Sequence, residues 1–389
     1  MKGYARLQRE VIESGLCTDC GTCAGVCPSQ CLVMNYEREQ PEAIKECPPR
    51  CNLCYEVCPG KDIPMHELEQ MTFGRERKQG TDEEYLGVCQ QFFRGYAVDK
   101  EVRRRGACGG VGTALLLYAL ENNIIDSAIV AAMSQEQPWR VVPKIATSRQ
   151  DIIDATQSKY SLVPLNSILG EAQKRGLKRI GVVTSSCHCH GIRKMQSIGK
   201  PTTIADRIAL VIGLTTGTQY SYHATEHAIE ELLHVPIDHV AKLEYTGSTF
   251  PAKFTVVTKD GQTVACPHFR FAMSALAFTP ERCRMCFDYS NELSDLSLGD
   301  LSYPPPRMDE PGWTAIAVRS DLGRKLMTDA QNANYIHLEP IENYTFFMWG
   351  WEPKKHGSSY VISQRKRLGL PVPDYHLPLL TRPLPKQFV

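Results

Sequence analysis

"RIGVVTSSCHCHGIRKMQ" (Arg179–Gln196) decides how this chain is read. Ile180–Val183 is an apolar, largely β-branched run of the kind that forms a buried strand. It stops at a polar turn in which Cys187, His188, Cys189 and His190 alternate, and Gly191–Gln196 then looks like a helix. Taken alone, the turn fits a zinc site, a cysteine nucleophile with a histidine base, part of an iron–sulfur cluster, or a plain polar loop.

The same strand-to-helix unit recurs on both sides. "GACGGVGTALLLYALENN" (Gly106–Asn123) is a glycine-rich turn feeding an apolar helix, and "SAIVAAM" (Ser127–Met133) is a strand. "SRQDIIDATQSKY" (Ser148–Tyr160) reads as a helix with a serine cap, and "SILGEAQKRG" (Ser167–Gly176) as another. "IALVIGLTTGT" (Ile208–Thr218) is a buried strand before the helical "YSYHATEHAIEELLH" (Tyr220–His234). Alternating strands and helices predict an α/β fold with a parallel or mixed sheet. "KLEYTG" and "KFTVVTKDGQTVAC" add a hairpin with Asp260-Gly261 at its turn. In such sheets ligands lie beyond the carboxyl ends of the strands, where "TSSCHCHG" and "TTGT" fall. "CGGVGT" offers backbone amides at a helix start, a weak phosphate signal because it is not G-x-G-x-x-G.

The 389 residues are enough for two or three domains, and 44 Lys+Arg against 43 Asp+Glu leave no basic footprint for nucleic acid. No apolar run approaches a bilayer span, and the N-terminus lacks an apolar leader, so the expected setting is cytoplasmic. The 16 cysteines are clustered, which in a reducing compartment points to metal ligation.

"CTDCGTCAGVCP" has the spacing Cys17-x2-Cys20-x2-Cys23-x3-Cys27-Pro28, the bacterial ferredoxin run for [4Fe–4S] clusters. "CPPRCNLCYEVCPG" repeats it with Cys47, Cys51, Cys54 and Cys58, its first gap one residue longer. Because the fourth cysteine of each run serves the other cluster, Cys17, Cys20, Cys23 and Cys58 form one expected set and Cys47, Cys51, Cys54 and Cys27 the second. Cys31 is expected to be buried and inert. Residues 60–105 are polar and charged, a linker with a helix or strand around Tyr85–Tyr96. Cys283-x2-Cys286 is a third group: a redox pair, half a zinc site or half a cluster site, with Cys187, Cys189 and Cys266 as candidate partners.

At this point the motifs resemble those of the family of coenzyme F420 hydrogenase/dehydrogenase beta subunits, with an N-terminal double ferredoxin as in F420H2 dehydrogenase input subunits. "GGVGTALLLYALENNIID" resembles the family's Gly-Gly-Val segment, "SKYSLVP" its Thr-Lys-Tyr motif, and "SSCHCHGIRKMQ" a Pro-Cys-Gln turn followed by Gly-Ile-Arg-Lys-Met-Gln. "RCRMCFDYSNELSDLSLGD" matches its Cys-x-x-Cys-x-Asp-Tyr segment and "PGWTAIAVRSDLG" its Gly-Trp segment. The resemblance implies an α/β fold (α+β overall): a ferredoxin-like domain over 1–75, a linker over 76–105, an FAD and [4Fe–4S] catalytic domain over 106–350 built on a mixed sheet, and a C-terminal extension over 351–389.

It also implies FAD and a third [4Fe–4S] cluster held by Cys187, Cys283 and Cys286. The family's fourth cysteine falls at Thr216, so Cys189, or else Cys266, is expected to replace it. Cys108 stands where the family often has an acidic or polar residue. Expected FAD contacts are Gly109, Gly110, Val111, Gly112 and Thr113, then Ser158, Lys159 and Tyr160, with Lys159 also the catalytic candidate. The implied activity is hydride exchange with coenzyme F420 and single-electron transfer through three clusters, to or from a redox partner protein or other subunits of an oligomer. The alternatives are a ferredoxin-dependent flavin reductase of an organic substrate such as a tetrapyrrole, and a non-catalytic relay subunit. Trp313, the pair His223 and His227, Arg193 and Lys194 each have a packing or surface reading beside a functional one.

Overall fold

The computed structural model describes residues 3–198, 204–247, 251–301, 312–341 and 352–380. In the N-terminal part, short helices Thr22–Gly25 and Leu53–Glu56 lie within the two cysteine runs, and β1 (Leu32–Asn35) pairs antiparallel with β2 (Gln40–Ala43). The helix Met65–Phe73 follows.

Eight strands then form one mixed sheet: β3 (Gln91–Ala97), β4 (Ser127–Met133), β5 (Val141–Ala146), β6 (Ile180–Thr184), β7 (Ile208–Leu214), and, later in the chain, Leu296–Asp300, Thr314–Val318 and Ile336–Pro340. Between these come β8 (Val240–Glu244), β9 (Lys253–Thr258) and β10 (Thr263–Pro267), a separate three-stranded antiparallel sheet. The last three strands of the large sheet are therefore β11, β12 and β13, and its order is β13-β3-β12-β11-β7-β6-β4-β5. The run β4-β6-β7-β11 is parallel and the flanks are antiparallel. Buried on both faces, β7 and β12 are almost continuously apolar, as interior strands covered on both sides must be.

One core under the sheet is built on the helix Val111–Glu121. Another joins the opposite face, through the helix Ser186–Ser197, to Leu7, Val11, Val57, Ile63 and Leu68 of the N-terminal part. A third fills the small sheet against the helix His268–Ala275.

Two boundaries differ from the sequence expectation. Residues 76–105 are not a loose linker, because β3 is an interior strand paired with β12 on one side and β13 on the other. β3 falls in the helix or strand expected around Tyr85–Tyr96, and its Arg94 is paired with Glu339 across the sheet, Nε to Oε2 2.7 Å. The C-terminal residues are also structural through 380. Ile362 and Tyr375 sit in the core shared with Ile63 and Leu68, and Ile63 donates its amide to the Asp374 carbonyl at 2.7 Å. The final "PLPKQFV" (Pro383–Val389) lies outside the described residues.

Candidate redox and cofactor site

Cys17, Cys20, Cys23 and Cys58 face one cavity of about 320 Å3, counting its open mouth, walled also by Leu7, Val11 and Met34. Burial first, and repulsion from the neighbouring sulfurs second, push the Cys23 thiol well above its ordinary range; burial lifts Cys58 to about 11. Cys47, Cys51, Cys54 and Cys27 form a second mutually interacting set, in which burial followed by Cys51, Cys47 and Cys27 lifts Cys54 to about 12. Backbone amides point at the sulfurs, Cys31 to Cys27 and Gly60 to Cys58, each at 3.3 Å. Cys31 itself is buried.

Among the described residues, no three Cys, His, Asp or Glu side chains converge closely enough for a single metal ion. A cubane asks for something else, four thiolates spread around a cavity with amide donors on the sulfurs. The first quartet fits that demand, with its cavity and the Gly60 amide on Cys58.

Two buried cations flank the first quartet. Lys194 Nζ donates to the Cys58 carbonyl at 2.8 Å and the Asp62 carbonyl at 2.7 Å. Arg282 Nε donates to the Gly60 carbonyl at 2.9 Å. Both come from motifs far along the chain, and both lower the Cys58 thiol electrostatically. Lys194 also pairs with the Asp62 carboxylate at 3.4 Å, so its ammonium is held by protein groups beside the first quartet, while Arg193 is bound to the Leu293 carbonyl at 2.9 Å and to Asp295. Arg282 carried no signal in the sequence beyond its place beside Cys283.

The third group is brought together by tertiary structure. Cys187 is pushed up by burial, then by Cys20, with Cys283 and Cys286 adding to it. Ser185 Oγ lies 3.4 Å from the Cys187 sulfur and 2.7 Å from His188 Nδ1. His188 Nε2 donates to the Val163 carbonyl at 2.8 Å, so Nδ1 accepts the serine proton, and burial holds the ring neutral with a pKa down to about 4.

Cys189 does not join this group. The expected turn is instead the first part of the helix Ser186–Ser197, and two positions along a helix turn a side chain by about 200°. Cys189 is fully buried, and the charges it meets are Arg193, Asp288, Asp295 and Arg319. Cys266 is no substitute: it lies on β10 opposite Phe254, in the core of the small sheet. Thr216 does reach the segment, its amide donating to the Tyr289 carbonyl at 2.8 Å.

At the carboxyl ends of the strands, Gly109 and Gly110 take φ of +66° and +74° before the helix Val111–Glu121. A Cβ on Gly109 would meet the Gly95 carbonyl and Thr314 amide at 2.8 Å, so the turn is sealed against β3 and β12. Gly112 and Thr113 are half-buried in the first turn, where helical amides lack intrahelical partners, while Val111 is buried. Arg103 Nε is buried without a partner among the described residues, its guanidinium 3.8 Å above Tyr96. That donor set suits the phosphates of a dinucleotide. Trp313 packs edge-on to Tyr96 at 4.8 Å with Arg94 over its ring. His223 pairs with Glu226 rather than with His227.

Lys159 departs from expectation. Its ammonium donates to the carbonyls of Ala155 (2.6 Å), Thr156 (2.6 Å) and Gln157 (3.1 Å), capping the end of the helix Arg149–Asp154. Those three bonds use all its protons, leaving none for a cofactor, and burial draws its pKa down to about 7. Ser158 beside it is half-buried. Tyr160 instead turns toward the strand ends, among Asp300, Cys108, Tyr220 and Tyr289, with His268 4.8 Å from its ring.

The family models for the coenzyme F420 hydrogenase/dehydrogenase beta subunit match residues 92–170 with their N-terminal part and 177–344 with their C-terminal part. The chain belongs to this family. The coenzyme F420 hydrogenase subunit beta of Methanosarcina barkeri is 29% identical over 265 residues, 67% of this chain and 85% of that protein. A subunit of the F(420)H(2) dehydrogenase of Methanosarcina mazei is 25% identical over 343 residues, 85% of this chain and 87% of that protein. The coenzyme F420-dependent sulfite reductase of Methanocaldococcus jannaschii is 26% identical over 86% of this chain, which spans 49% of that protein. A chain of the F420-reducing [NiFe] hydrogenase complex from Methanosarcina barkeri superimposes with a TM-score of 0.62 at 26% identity, covering 77% of this chain and 98% of that one. The large mixed sheet thus belongs to the fold shared with that complex. The matched family segments start at β3, and the two cysteine runs precede them.

Proposed function

We propose that this member of the beta-subunit group is an F420-linked oxidoreductase that joins two-electron hydride exchange to one-electron transfer. FAD would lie along the Gly109–Thr113 turn and Arg103, and three [4Fe–4S] clusters would be held by the two crossed quartets and by Cys187, Cys283 and Cys286. FAD, when bound, exchanges hydride in pairs and electrons singly. The chain's own residues supply position and charge: glycine-turn amides for phosphate, buried thiols for iron, Lys194 and Arg282 as fixed cations beside Cys58.

The observation that carries this reading is the placement of Cys20. It belongs to the first quartet, and Asn166 ties its carbonyl (3.0 Å) to the His188 carbonyl (3.0 Å) next to Cys187. On this reading the three thiol sets would form a series from the strand ends, through Cys20, to the partly exposed Cys47 and Cys51. Electrons would leave or enter at that last set, through a partner protein or further subunits; that the hydrogenase and dehydrogenase relatives are themselves subunits supports this. Anaerobic mixing of the holoprotein with reduced coenzyme F420 tests it: flavin absorbance should bleach and the clusters should become reduced. A flavin that stays oxidised would reject F420 as the hydride partner.

A further inference from the structure

All 16 cysteines lie within the described residues, and each has a place. Eight fall in the two runs near the N-terminus. Cys187, Cys283 and Cys286 are held together by hydrogen bonds around Asp288. The Cys286 amide donates to the Cys283 carbonyl at 3.2 Å. The Cys286 thiol (3.7 Å) and the Ser186 hydroxyl (2.9 Å) meet at the Asp288 carbonyl, which sets the start of the Cys187 helix against the pair. The other five thiols are elsewhere. Cys31 donates to the Glu46 carbonyl at 3.4 Å, beside Cys27. Cys89 donates to the Val318 carbonyl at 3.4 Å, at the amino end of β11, whereas the third group lies past the carboxyl ends of β6 and β7. Cys108 lies against Gly312 before β12, three strands over from β6 and so roughly 14 Å across the sheet. Cys189 is on the buried side of its helix, and Cys266 is in the core of the small sheet. The nearby histidines are engaged: His188 by Ser185 Oγ and the Val163 carbonyl, His190 by the Asp288 carboxylate at 2.8 Å.

The loop after β7 closes another side of this group. Thr216 donates its amide to the Tyr289 carbonyl at 2.8 Å, next to Asp288, and Gln219 Nε2 donates to Ser185 Oγ at 3.0 Å. The loop carries hydroxyls and an amide but no thiol. It also faces outward: Gly217 is exposed, and a Cβ on it would meet nothing within 4 Å among the described residues. A cubane has four irons, and an anionic thiolate, the soft ligand iron–sulfur centres select, holds each more firmly than a hydroxyl or water. We infer that the third cluster has three thiolates only, and that its remaining iron, toward the loop after β7, takes an oxygen donor and is exchangeable. The inference rests on the third-cluster part of the reading above. It is specific to this group, because each ferredoxin-type set has four cysteines. On one-electron oxidation the oxidant takes the electron and the weakly held iron leaves as a ferrous ion. The three-iron core keeps all four sulfides and its three thiolates. A ferrous ion and one electron from a reductant reverse the step.

The test uses the full-length holoprotein, prepared without oxygen and treated with equimolar ferricyanide, with low-temperature electron paramagnetic resonance as the readout. Oxidised wild type should show the signal of a three-iron cluster and release a single iron per chain to a ferrous chelator. Ferrous iron with dithionite should restore the starting spectrum. The signal should be absent in Cys187→Ser, which assigns it to this group. In Thr216→Cys, where a fourth thiolate can close the cluster, it should fall to background while iron content stays at the wild-type level. Iron for three clusters with no three-iron signal in oxidised wild type overturns the inference and leaves the third cluster standing. Iron for only two clusters overturns both. A signal that persists in Cys187→Ser belongs to a ferredoxin-type set and overturns the inference as well. A folded Thr216→Cys that oxidises like wild type overturns the placement toward the loop. If that variant does not fold, wild type and Cys187→Ser decide the three-thiolate cluster by themselves.

Discussion

Cys187 and Cys189 differ by two positions, and the helix that carries them sends one toward Cys283 and Cys286 and the other into the core. This has a direct consequence for iron. Replacing Cys187, Cys283 or Cys286 by Ser should lower the iron-to-protein ratio and remove one cluster's signal from low-temperature electron paramagnetic resonance. Cys189→Ala should keep both at wild-type levels and cost only roughly 1 kcal/mol of stability from the lost packing. A cluster lost in Cys189→Ala would return that thiol to the ligand set. The spacing of the cysteines was readable in the sequence because three thiolates on one short loop need it. The orientation of Cys189 was not, since a polar run of alternating Cys and His gives no periodicity by which to tell a turn from a helix. Lys159 makes the same point: the motif singled it out, but only the path of the backbone after Asp154 puts three carbonyls around its ammonium.

The helix Ser186–Ser197 is the joint between the cysteine-run part and the large sheet. Nearly all of it is buried, including His188, His190, Arg193 and Lys194, and each of these polar groups has a partner. Gly191 lets it approach the first cysteine loop, because a Cβ there would collide with Thr22 Oγ1. Asn166 completes the contact, its Nδ2 donating to Thr22 Oγ1 at 2.9 Å and the His188 carbonyl at 3.0 Å, while its amide donates to the Cys20 carbonyl. Lys194 acts from this helix on the first quartet. A fixed cation favours the more negative, reduced form of a cluster, so Lys194→Met should lower the potential of that cluster. Each tenfold change in the one-electron equilibrium corresponds to about 59 mV. A redox titration followed by electron paramagnetic resonance would read it, and a potential unchanged or raised would refute the electrostatic role.

Across the molecule, a buried charge network ties three distant segments together. Arg77 pairs with Glu69 of the helix Met65–Phe73 at 2.6 Å and with Glu292 after the Cys283/Cys286 pair at 2.8 Å, and Lys355 from the C-terminal region closes on Glu292. All four side chains are almost inaccessible. Nearby, Lys354 donates to the Cys283 carbonyl at 3.2 Å and Ser358 to the Cys286 carbonyl at 2.9 Å. Breaking one member of a buried network strands the others, so Glu292→Gln should destabilise the protein by about 3–5 kcal/mol. Chemical denaturation followed by circular dichroism would measure this; a loss under about 1 kcal/mol would mean that Arg77 and Lys355 find other partners or water.

The sequence by itself determined the two ferredoxin-type spacings, the strand–helix alternation and the family motifs, because local spacing and periodicity write those features into neighbouring residues. Tertiary structure decided everything that depends on long-range placement. It put β3 inside the sheet, turned Cys189 into the core, and brought Lys194 and Arg282 to the Cys58 loop. Most of those contacts link residues far apart in the chain, and their chemistry exists only once burial has removed water from between them.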